Sequence, residues 1–342
     1  MLAARNDLGL RIFSTCPPSA RAARDEYLRQ VQEIASWSED AGCEGILVYT
    51  DNAQVDPWLV AQAIIRATRT LCPLVAIQPA YMHPYSVAKM VTSLAFLYGR
   101  RVYLNMVAGG FTNDLAALND HTPHDERYSR LGEYTAIIQG LLASAEPFTF
   151  SGSYYQVHNL RLTPPLPPEL QPGVLMSGSS EAGMQAARRL GATPIEYPKP
   201  VAEYAAARRG GPSRGLRIGL IARGTEAEAW RDAHERFPPD RKGQLTHELA
   251  MKTSDSSWHR QLSKLGARAQ GEAEQNPYWL VPFENYKTFC PYLVGSYAVV
   301  AQAVAGYVNA GYRTFVLDVP ASPAELSHIG RVFGLAVDRV AA

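Results

Sequence analysis

The chain has 342 residues, of which 46% are hydrophobic and 19% charged, and its formal net charge is +1. This composition excludes an intrinsically disordered chain and predicts a large apolar core. Because Lys+Arg (33) nearly equals Asp+Glu (32), no strong basic field is available, so we expect neither nucleic acid nor anionic lipid as a partner.

The cysteines and the N-terminus indicate the compartment. The four cysteines lie far apart and form no CxxC pair: Cys16, Cys43, Cys72 and Cys290. This favours reduced thiols over a disulfide framework or a zinc site. Residues 1–9 hold no apolar run of signal-peptide length, and no segment approaches the roughly 20 apolar residues of a membrane span. We therefore expect a cytoplasmic protein without membrane association.

Short apolar runs alternate with amphipathic segments along the first half of the chain. The predicted strands are 10–15, 45–49, 74–78 and 102–107, and the predicted helices are 25–41, 57–69, 85–97 and 128–142. The alternating aromatic residues of 148–162 then predict a β-hairpin.

The alternation continues in the second half. The predicted strands are 174–177, 193–196, 216–223 and 314–317, and the predicted helices are 181–190, 201–208, one from 225, 296–310 and 323–333. Residues 238–294 break this pattern, because they are too long for a connection and end in a cluster of aromatic residues. We expect a lid over the barrel mouth there, with an oligomer contact as the alternative.

Eight strand–helix units imply parallel strands, because parallel neighbours need a crossover connection. The number eight favours an α/β fold of the (β/α)8 TIM-barrel type, formed as a single domain by residues 1–342. A doubly wound two-domain sheet is the alternative, but no linker and no GxGxxG motif follow the first strand.

In such a barrel the functional groups follow the carboxyl ends of the strands. The turn from Ser177 to Ser180 (SGSS) lies between a strand and a helix, where hydroxyl and N–H groups could bind a phosphate. An ordinary helix N-cap explains the same serines. The Ala108-Gly109-Gly110 segment is likewise either a tight turn or a place where a planar ligand approaches the backbone.

A cluster of polar residues precedes the fourth helix: His121, His124, Asp125 and Glu126. Pro123 interrupts the histidine spacing that a helical metal site needs. We therefore expect no metal, and the cluster is interpreted as a solvated loop or a ligand contact.

Several of these segments resemble one enzyme family. Residues 103–110 (YLNMVAGG), followed by 124–128 (HDERY), are similar to the strand-four and helix-four signature of bacterial luciferase-like monooxygenases, nearest the alkanesulfonate monooxygenase branch. Residues 56–61 (DPWLVA), 74–79 (LVAIQP) and 177–180 also resemble that branch. The resemblance runs in order from about residue 10 to residue 335.

The resemblance implies a two-component flavin monooxygenase. Such an enzyme takes FMNH2 from a separate NAD(P)H:flavin reductase, adds O2 at the flavin C4a atom and oxidises a small or carrier-bound organic substrate. A homodimer or homotetramer is implied as well. The residues implied to bind FMN are Gln78, Asn105, Ala108, His124, Tyr128, Ser177, Gly178, Ser179 and Ser180.

The chain departs from the sulfonate branch at several polar positions. Alignment on residues 228–230 places Arg217 on the branch's arginine but Gly219 on its histidine. The branch's cysteine falls on Gln54, and its last tyrosine falls on Val319. Residues 285–288 (NYKT) correspond to an Arg-rich segment of that branch, and Lys287 is the one cation among them. We therefore expect a substrate other than an alkanesulfonate.

The expected catalytic residues are the polar groups that would face the flavin: Cys16, Gln54, Arg217 and Asp318. For Asp318 the alternative is to cap the last helix or to pair with Arg313. Two other functions remain open: a flavin-binding protein without turnover, and a deazaflavin-dependent oxidoreductase.

Overall fold

The computed structural model describes residues 8–341, apart from 21, 110, 179, 205–212, 254–261 and 263–275. The strands are β1 (Arg11–Thr15), β2 (Gly45–Val48), β3 (Cys72–Ile77), β4 (Tyr103–Val107), β5 (Phe148–Ser151), β6 (Gln156–Leu160), β7 (Gly173–Ser177), β8 (Thr193–Glu196), β9 (Arg214–Arg223), β10 (Tyr278–Trp279), β11 (Tyr292–Ser296) and β12 (Tyr312–Leu317). The α-helices are α1 (Arg24–Ala41), α2 (Pro57–Ala67), α3 (Pro84–Tyr98), α4 (Thr112–Ala117), α5 (His124–Ala143), α6 (Glu181–Arg189), α7 (Glu226–Arg236), α8 (Arg241–Thr253), α9 (Val281–Glu284), α10 (Tyr297–Asn309) and α11 (Pro323–Ala341).

Eight strands follow one another in a continuous hydrogen-bonded order. The order is β12-β1-β2-β3-β4-β7-β8-β9, and β9 pairs in turn with β12. Each strand of this set therefore has two neighbours. The fold is an α/β (β/α)8 barrel, as the alternation of strands and helices predicts.

The contacts within the chain divide it into two compact units. Among the described residues, unit 1 takes those of Met1–Thr15, Trp37–Glu44 and Ile195–Ala342, and unit 2 takes those of Cys16–Ser36 and Gly45–Pro194. In unit 2, β2, β3, β4 and β7 pair in parallel, and α2, α3, α5 and α6 contribute to their hydrophobic cluster. Asp56 caps α2 by accepting from the Trp58 N–H, and Pro57 stands in the first turn, where its missing N–H costs no hydrogen bond.

In unit 1, β1 and β9 both pair in parallel with β12. The pairing of β1 is reinforced by Thr15, whose Oγ1 donates a 2.5 Å hydrogen bond to the Leu317 carbonyl. The strand β9 has ten residues: its first half pairs with β12, and its second half pairs with β11. A separate cluster of buried residues, among them Ile221, Trp279 and Tyr292, covers that second half.

The predicted hairpin is confirmed, with β5 and β6 antiparallel. The segment 238–294 is more regular than the sequence suggests, because its described parts contain α8, β10, α9 and β11. Its aromatic residues Trp279, Phe283 and Tyr292 are buried as core side chains. Residues 254–261 and 263–275 of the expected lid lie outside the described residues.

Two helices differ from their predictions. The helix α5 begins at His124, four residues before its predicted start, so His124 lies in its first turn. The predicted helix 201–208 is represented by a 3-10 turn at Val201–Tyr204, and its remainder lies outside the described residues. None of the described helices is long and apolar enough to cross a membrane.

Candidate active site

The turn after β7 joins two of the expected site residues directly. Ser177 ends β7 and pairs with Val107 of β4, which places it beside Asn105. Its Oγ donates a 2.9 Å hydrogen bond to the Asn105 Oδ1 atom. Asn105 is 7% exposed, so this bond fixes an amide that has little contact with water.

The hydroxyl of Tyr128 lies at the same turn. A Cβ at Gly178 would overlap this hydroxyl, and a Cβ at Gly183 would come within 2.9 Å of the ring. Burial raises the pKa of Tyr128, and a hydrogen bond with Ser180 acts in the opposite direction. Glycine at both positions therefore allows the phenol to reach the start of α6.

Ser180 is the N-cap of α6, because its side chain accepts from the Gly183 N–H at 3.2 Å. The cap interpretation of this serine is therefore confirmed. It does not exclude a ligand, since the first N–H groups of a helix have no partner within it and attract anions. Ser179 lies outside the described residues.

His124 lies close to this turn because its ring packs against Tyr128. Its ring meets the Tyr128 ring edge to face, with centroids 5.3 Å apart. Its Nδ1 is 2.7 Å from Asp125 Oδ1, which leaves Nε2 for another partner. Within the described ranges, no group of three or more His, Cys, Asp or Glu side chains is arranged to hold a metal ion.

The turn after β4 is tightly packed. Ala108 is 5% exposed. Gly109 has φ = +98°, and a Cβ there would lie 3.1 Å from Leu115 and 3.4 Å from the Gln78 Oε1 atom. A side chain at this position would therefore be strained in its backbone and crowded in space.

Cys16 and Gln54, two of the expected catalytic residues, both have hydrogen-bond partners within unit 2. Burial raises the pKa of the Cys16 thiol to about 12, with a hydrogen bond to Tyr27 acting in the opposite direction, so the thiol is protonated at neutral pH. Gln54 Oε1 accepts from the N–H and the Oγ of Ser19, at 2.7 and 3.0 Å. The amide therefore joins the segment after β1 to the segment after β2.

In unit 1, Asp318 is held by two hydroxyl groups. Its Oδ2 accepts from Thr288 at 2.6 Å and from Tyr292 at 2.7 Å. Arg313 instead donates to the carbonyls of Val308 and Tyr312, and Ser322 accepts from the Glu325 N–H at the start of α11. Neither alternative role for Asp318 is seen among the described contacts.

Arg217 lies near Asp318 and Cys290 in unit 1. It is 7% exposed and pairs along the strand with Val316 of β12. Burial and the charge of Asp318 raise the pKa of the Cys290 thiol, whereas the charge of Arg217 lowers it. Both charged groups therefore lie close enough to Cys290 to change the pKa of its thiol.

The sequence did not identify Tyr292 and Thr288 as partners of Asp318. One signal was present: glycine stands at position 219, where the sulfonate branch carries a histidine. The Tyr292 ring occupies the space beside Gly219, and a Cβ there would overlap it. Lys287, the one cation in the segment that is Arg-rich in the sulfonate branch, pairs with Asp240 at 2.6 Å.

Comparison with known proteins identifies the family. The luciferase-like monooxygenase family matches residues 10–314, so the chain belongs to this family and is a flavin-dependent monooxygenase. It is 33% identical, over 90% of its length and 92% of the relative's, to the 4-(gamma-L-glutamylamino)butanoyl-[BtrI acyl-carrier protein] monooxygenase BtrO of Niallia circulans.

Two solved structures share the fold at low sequence identity. Riboflavin lyase (RcaE), solved with modified FMN and the substrate riboflavin, has a TM-score of 0.76 and 18% identity, covering 96% of this chain and 92% of that one. The oxygenating constituent of 3,6-diketocamphane monooxygenase from Pseudomonas putida, in complex with FMN, has a TM-score of 0.69 and 15% identity, covering 97% and 99%.

Proposed function

We propose that the protein is the oxygenase component of a two-component system that uses FMNH2 and O2 to oxidise an organic acyl group carried on a carrier protein. The observation that carries this proposal is the 33% identity, over nearly the whole chain, with a monooxygenase named for an acyl-carrier-protein substrate. One oxygen atom of O2 would enter the substrate and the other would leave as water.

The turn after β7 has the chemistry that an FMN phosphate needs. The N-terminus of α6, the Ser180 hydroxyl and the Tyr128 hydroxyl offer several donors to one anion, and the His124 ring lies against Tyr128. Gly178 and Gly183 leave room for the Tyr128 ring, because neither carries a Cβ. Tyr128, Ser180 and Ser179 would hold the phosphate with His124, and Asn105, Ser177 and Ala108 would line the flavin ring.

Reduced FMN, when bound, would supply the electrons that activate O2. The residues of the chain would bind the cofactor, orient the substrate and exclude water. Asp318 would accept a hydrogen bond from a basic or hydroxylated substrate group, with Thr288 and Tyr292 fixing its carboxylate. The same negative charge would repel a sulfonate.

Two further proposals concern the partners. A separate NAD(P)H:flavin reductase would supply FMNH2 in the cytoplasm, because the sequence has no dinucleotide-binding fingerprint after its first strand. The protein would form a homodimer or homotetramer, since Leu59 of α2 and Phe96 and Leu97 of α3 are exposed apolar side chains.

The function is tested with purified protein, FMN, NADH, a separate flavin reductase and a panel of acyl groups loaded on a carrier protein. We expect a mass gain of one oxygen atom that derives from 18O2 and requires the reductase. Rapid NADPH oxidation by the protein and FMN alone would contradict the two-component system. Tighter binding of a deazaflavin than of FMN would favour a deazaflavin-dependent oxidoreductase, and O2 uptake without any oxygenated product would contradict a monooxygenase.

Alkanesulfonates serve as the negative substrate class. Ethanesulfonate to octanesulfonate should release no sulfite in this assay. Brisk sulfite release would mean that Arg217 holds a sulfonate despite Asp318, and the carrier-bound substrate would then be the wrong class.

A further inference from the structure

Unit 2 contains a cavity of about 230 Å³ at the carboxyl ends of the parallel strands β2 and β3. Its polar lining residues are Thr50, Asp51, Gln54, Asp56, Gln78 and Tyr81. Trp58, Ile77 and Met82 contribute an apolar wall. Whole-ligand pockets usually measure about 300–1,000 Å³, so this cavity has room for one end of a substrate.

The lining of the cavity carries negative charge only: Asp51 and Asp56 are acidic, and its lining residues include no Lys, Arg or His. Asp51 Oδ1 accepts from the Ala53 N–H at 2.7 Å, whereas Oδ2 has a weaker contact of 3.4 Å with Gln54 Nε2. One carboxylate oxygen therefore keeps much of its capacity to accept a hydrogen bond.

The surroundings strengthen this negative potential. Burial and the charge of Asp51 raise the pKa of Asp114. Burial and the charges of Asp114 and Asp51 raise the pKa of Tyr81 to about 12. Burial is the larger cause of both shifts, and the neighbouring negative charges add to it in the same direction. A cation that entered the cavity would relieve this repulsion.

Gln78 provides an independent sign of a ligand. It lines the cavity and is 7% exposed, and its Nε2 has a single long contact of 3.5 Å with the Tyr81 hydroxyl. Its Oε1 accepts no hydrogen bond from the described residues. The protein therefore holds the Gln78 amide only by one long contact, although little water reaches this side chain. A ligand with N–H donors would satisfy it.

We propose that this cavity binds a protonated amine at the free end of the substrate's acyl chain, with Asp51, Asp56 and the Gln78 carbonyl accepting its N–H groups. This proposal rests on the proposed function, because it names the class of acyl group that the oxygenase would take. It also assigns Gln78 to the substrate rather than to the cofactor.

A binding assay without flavin tests the cavity directly. The probes are 6-aminohexanamide and heptanamide, which have the same chain length and end in an ammonium and a methyl group. Titration calorimetry or ligand-observed NMR at pH 7 should give at least about tenfold tighter binding of the ammonium probe, as expected for charge-assisted hydrogen bonds. Equal or tighter binding of heptanamide, or no binding of either probe at about 10 mM, would overturn the proposal.

Two charge-removing variants locate the site. Asp51→Asn and Asp56→Asn should each reduce the preference for the ammonium probe at least about threefold, and asparagine at position 56 retains the cap of α2. Glu146→Gln removes an 84% exposed carboxylate elsewhere in unit 2 and should leave the preference unchanged. An unchanged preference in both aspartate variants would also overturn the proposal. Since no step of the assay uses FMN or O2, its result is separable from failure of the oxygenase function.

Discussion

The ring of Tyr292 lies directly beside the α-carbon of Gly219 on the neighbouring strand, where a Cβ would overlap it. In the sulfonate branch the corresponding position is a histidine. The two arrangements exclude each other, because an imidazole and the Tyr292 ring would require the same space. A side chain at position 219 would therefore displace the phenol that donates to Asp318.

The first prediction concerns this contact. Gly219→Ala should lower the free energy of unfolding by about 1–3 kcal/mol, because the added methyl group meets the buried Tyr292 ring. The matched control is Gly132→Ala in α5, where a Cβ meets nothing within 4 Å, and which should raise stability by about 0.5–1 kcal/mol. Urea unfolding measures both. Equal effects of the two substitutions would contradict the close contact.

The second prediction concerns the hydrogen bond between Tyr292 and Asp318. Burial and the charge of Asp318 raise the pKa of Tyr292, so the phenol stays protonated and donates. Tyr292→Phe should cost about 1–3 kcal/mol, because a partly buried carboxylate loses one of its two donors. A double-mutant cycle with Asp318→Asn should give a coupling energy of about 0.5–3 kcal/mol.

The control for this cycle is Tyr297, whose hydroxyl is 2.6 Å from His328 Nδ1. Burial and the charge of Arg223 lower the pKa of His328, so this hydrogen bond joins two neutral groups at neutral pH. Tyr297→Phe should therefore cost only about 0.5–1.5 kcal/mol. A coupling near zero between Tyr292 and Asp318 would show that the carboxylate is not stabilised by the phenol.

The third prediction concerns the turn after β7. Tyr128→Phe and Ser180→Ala should each weaken FMN binding about tenfold and leave riboflavin binding nearly unchanged, because only FMN carries the phosphate. Fluorescence titration of the two flavins measures this difference. Ser180→Ala also removes a helix cap, so its control is Ser296→Ala, which removes the cap of α10.

Both cap substitutions should cost about 1 kcal/mol of stability, but only the one at position 180 should affect FMN. An equal loss for FMN and riboflavin would place the phosphate elsewhere.

The fourth prediction concerns pH. Burial opposes ionisation of Asp120, but hydrogen bonds from Arg130 (2.5 Å) and Thr122 (2.6 Å) outweigh it and lower the pKa of Asp120 to about 2. Because the folded-state pKa lies below the unfolded value of about 3.9, the stabilisation is present above pH 4 and is lost as the pH falls towards 2.

Asp120→Asn should therefore destabilise the protein at pH 7 by up to about 1 kcal/mol, and the difference from the wild type should narrow between about pH 4 and pH 2. Thermal unfolding across this pH range measures the difference. Glu146→Gln, at an exposed ion pair of 4.0 Å, should show no such pH dependence. A difference that is constant with pH would mean that the charge of Asp120 does not contribute.

The regular part of the barrel could be predicted from the sequence because each strand forms a short apolar run before a polar turn. The strand β8 (Thr193–Glu196) was predicted with its observed bounds although its pattern is weak. The strand β11 was missed, because its residues (YLVGS) follow an aromatic cluster and end in the cap of α10. Its place in the sheet depends on the second half of β9, which local periodicity cannot reveal.

The site could be predicted only where strand ends define it. The turn from Ser177 to Ser180 and the neighbouring Tyr128 follow from the barrel rule together with the family resemblance. The partners of Asp318 do not follow, since Thr288 and Tyr292 are 30 and 26 residues distant in sequence. Gln54 and Gln78 of the acidic cavity were expected at the site, but their grouping with Asp51 and Asp56 in one cavity was not, because these residues come from two separate loops.

The pairing of β1 with β12 has a consequence for how the chain folds as it is synthesised. Thr15 and Leu317 are 302 residues apart, so the partner of β1 is synthesised long after β1 itself. At a synthesis rate of about 5–20 residues per second, the β12-facing edge of β1 waits roughly 15–60 s for its partner. During that time it offers unpaired N–H and C=O groups to any other extended chain. Nascent chains stalled before residue 312 should therefore be the forms of this protein that most readily aggregate.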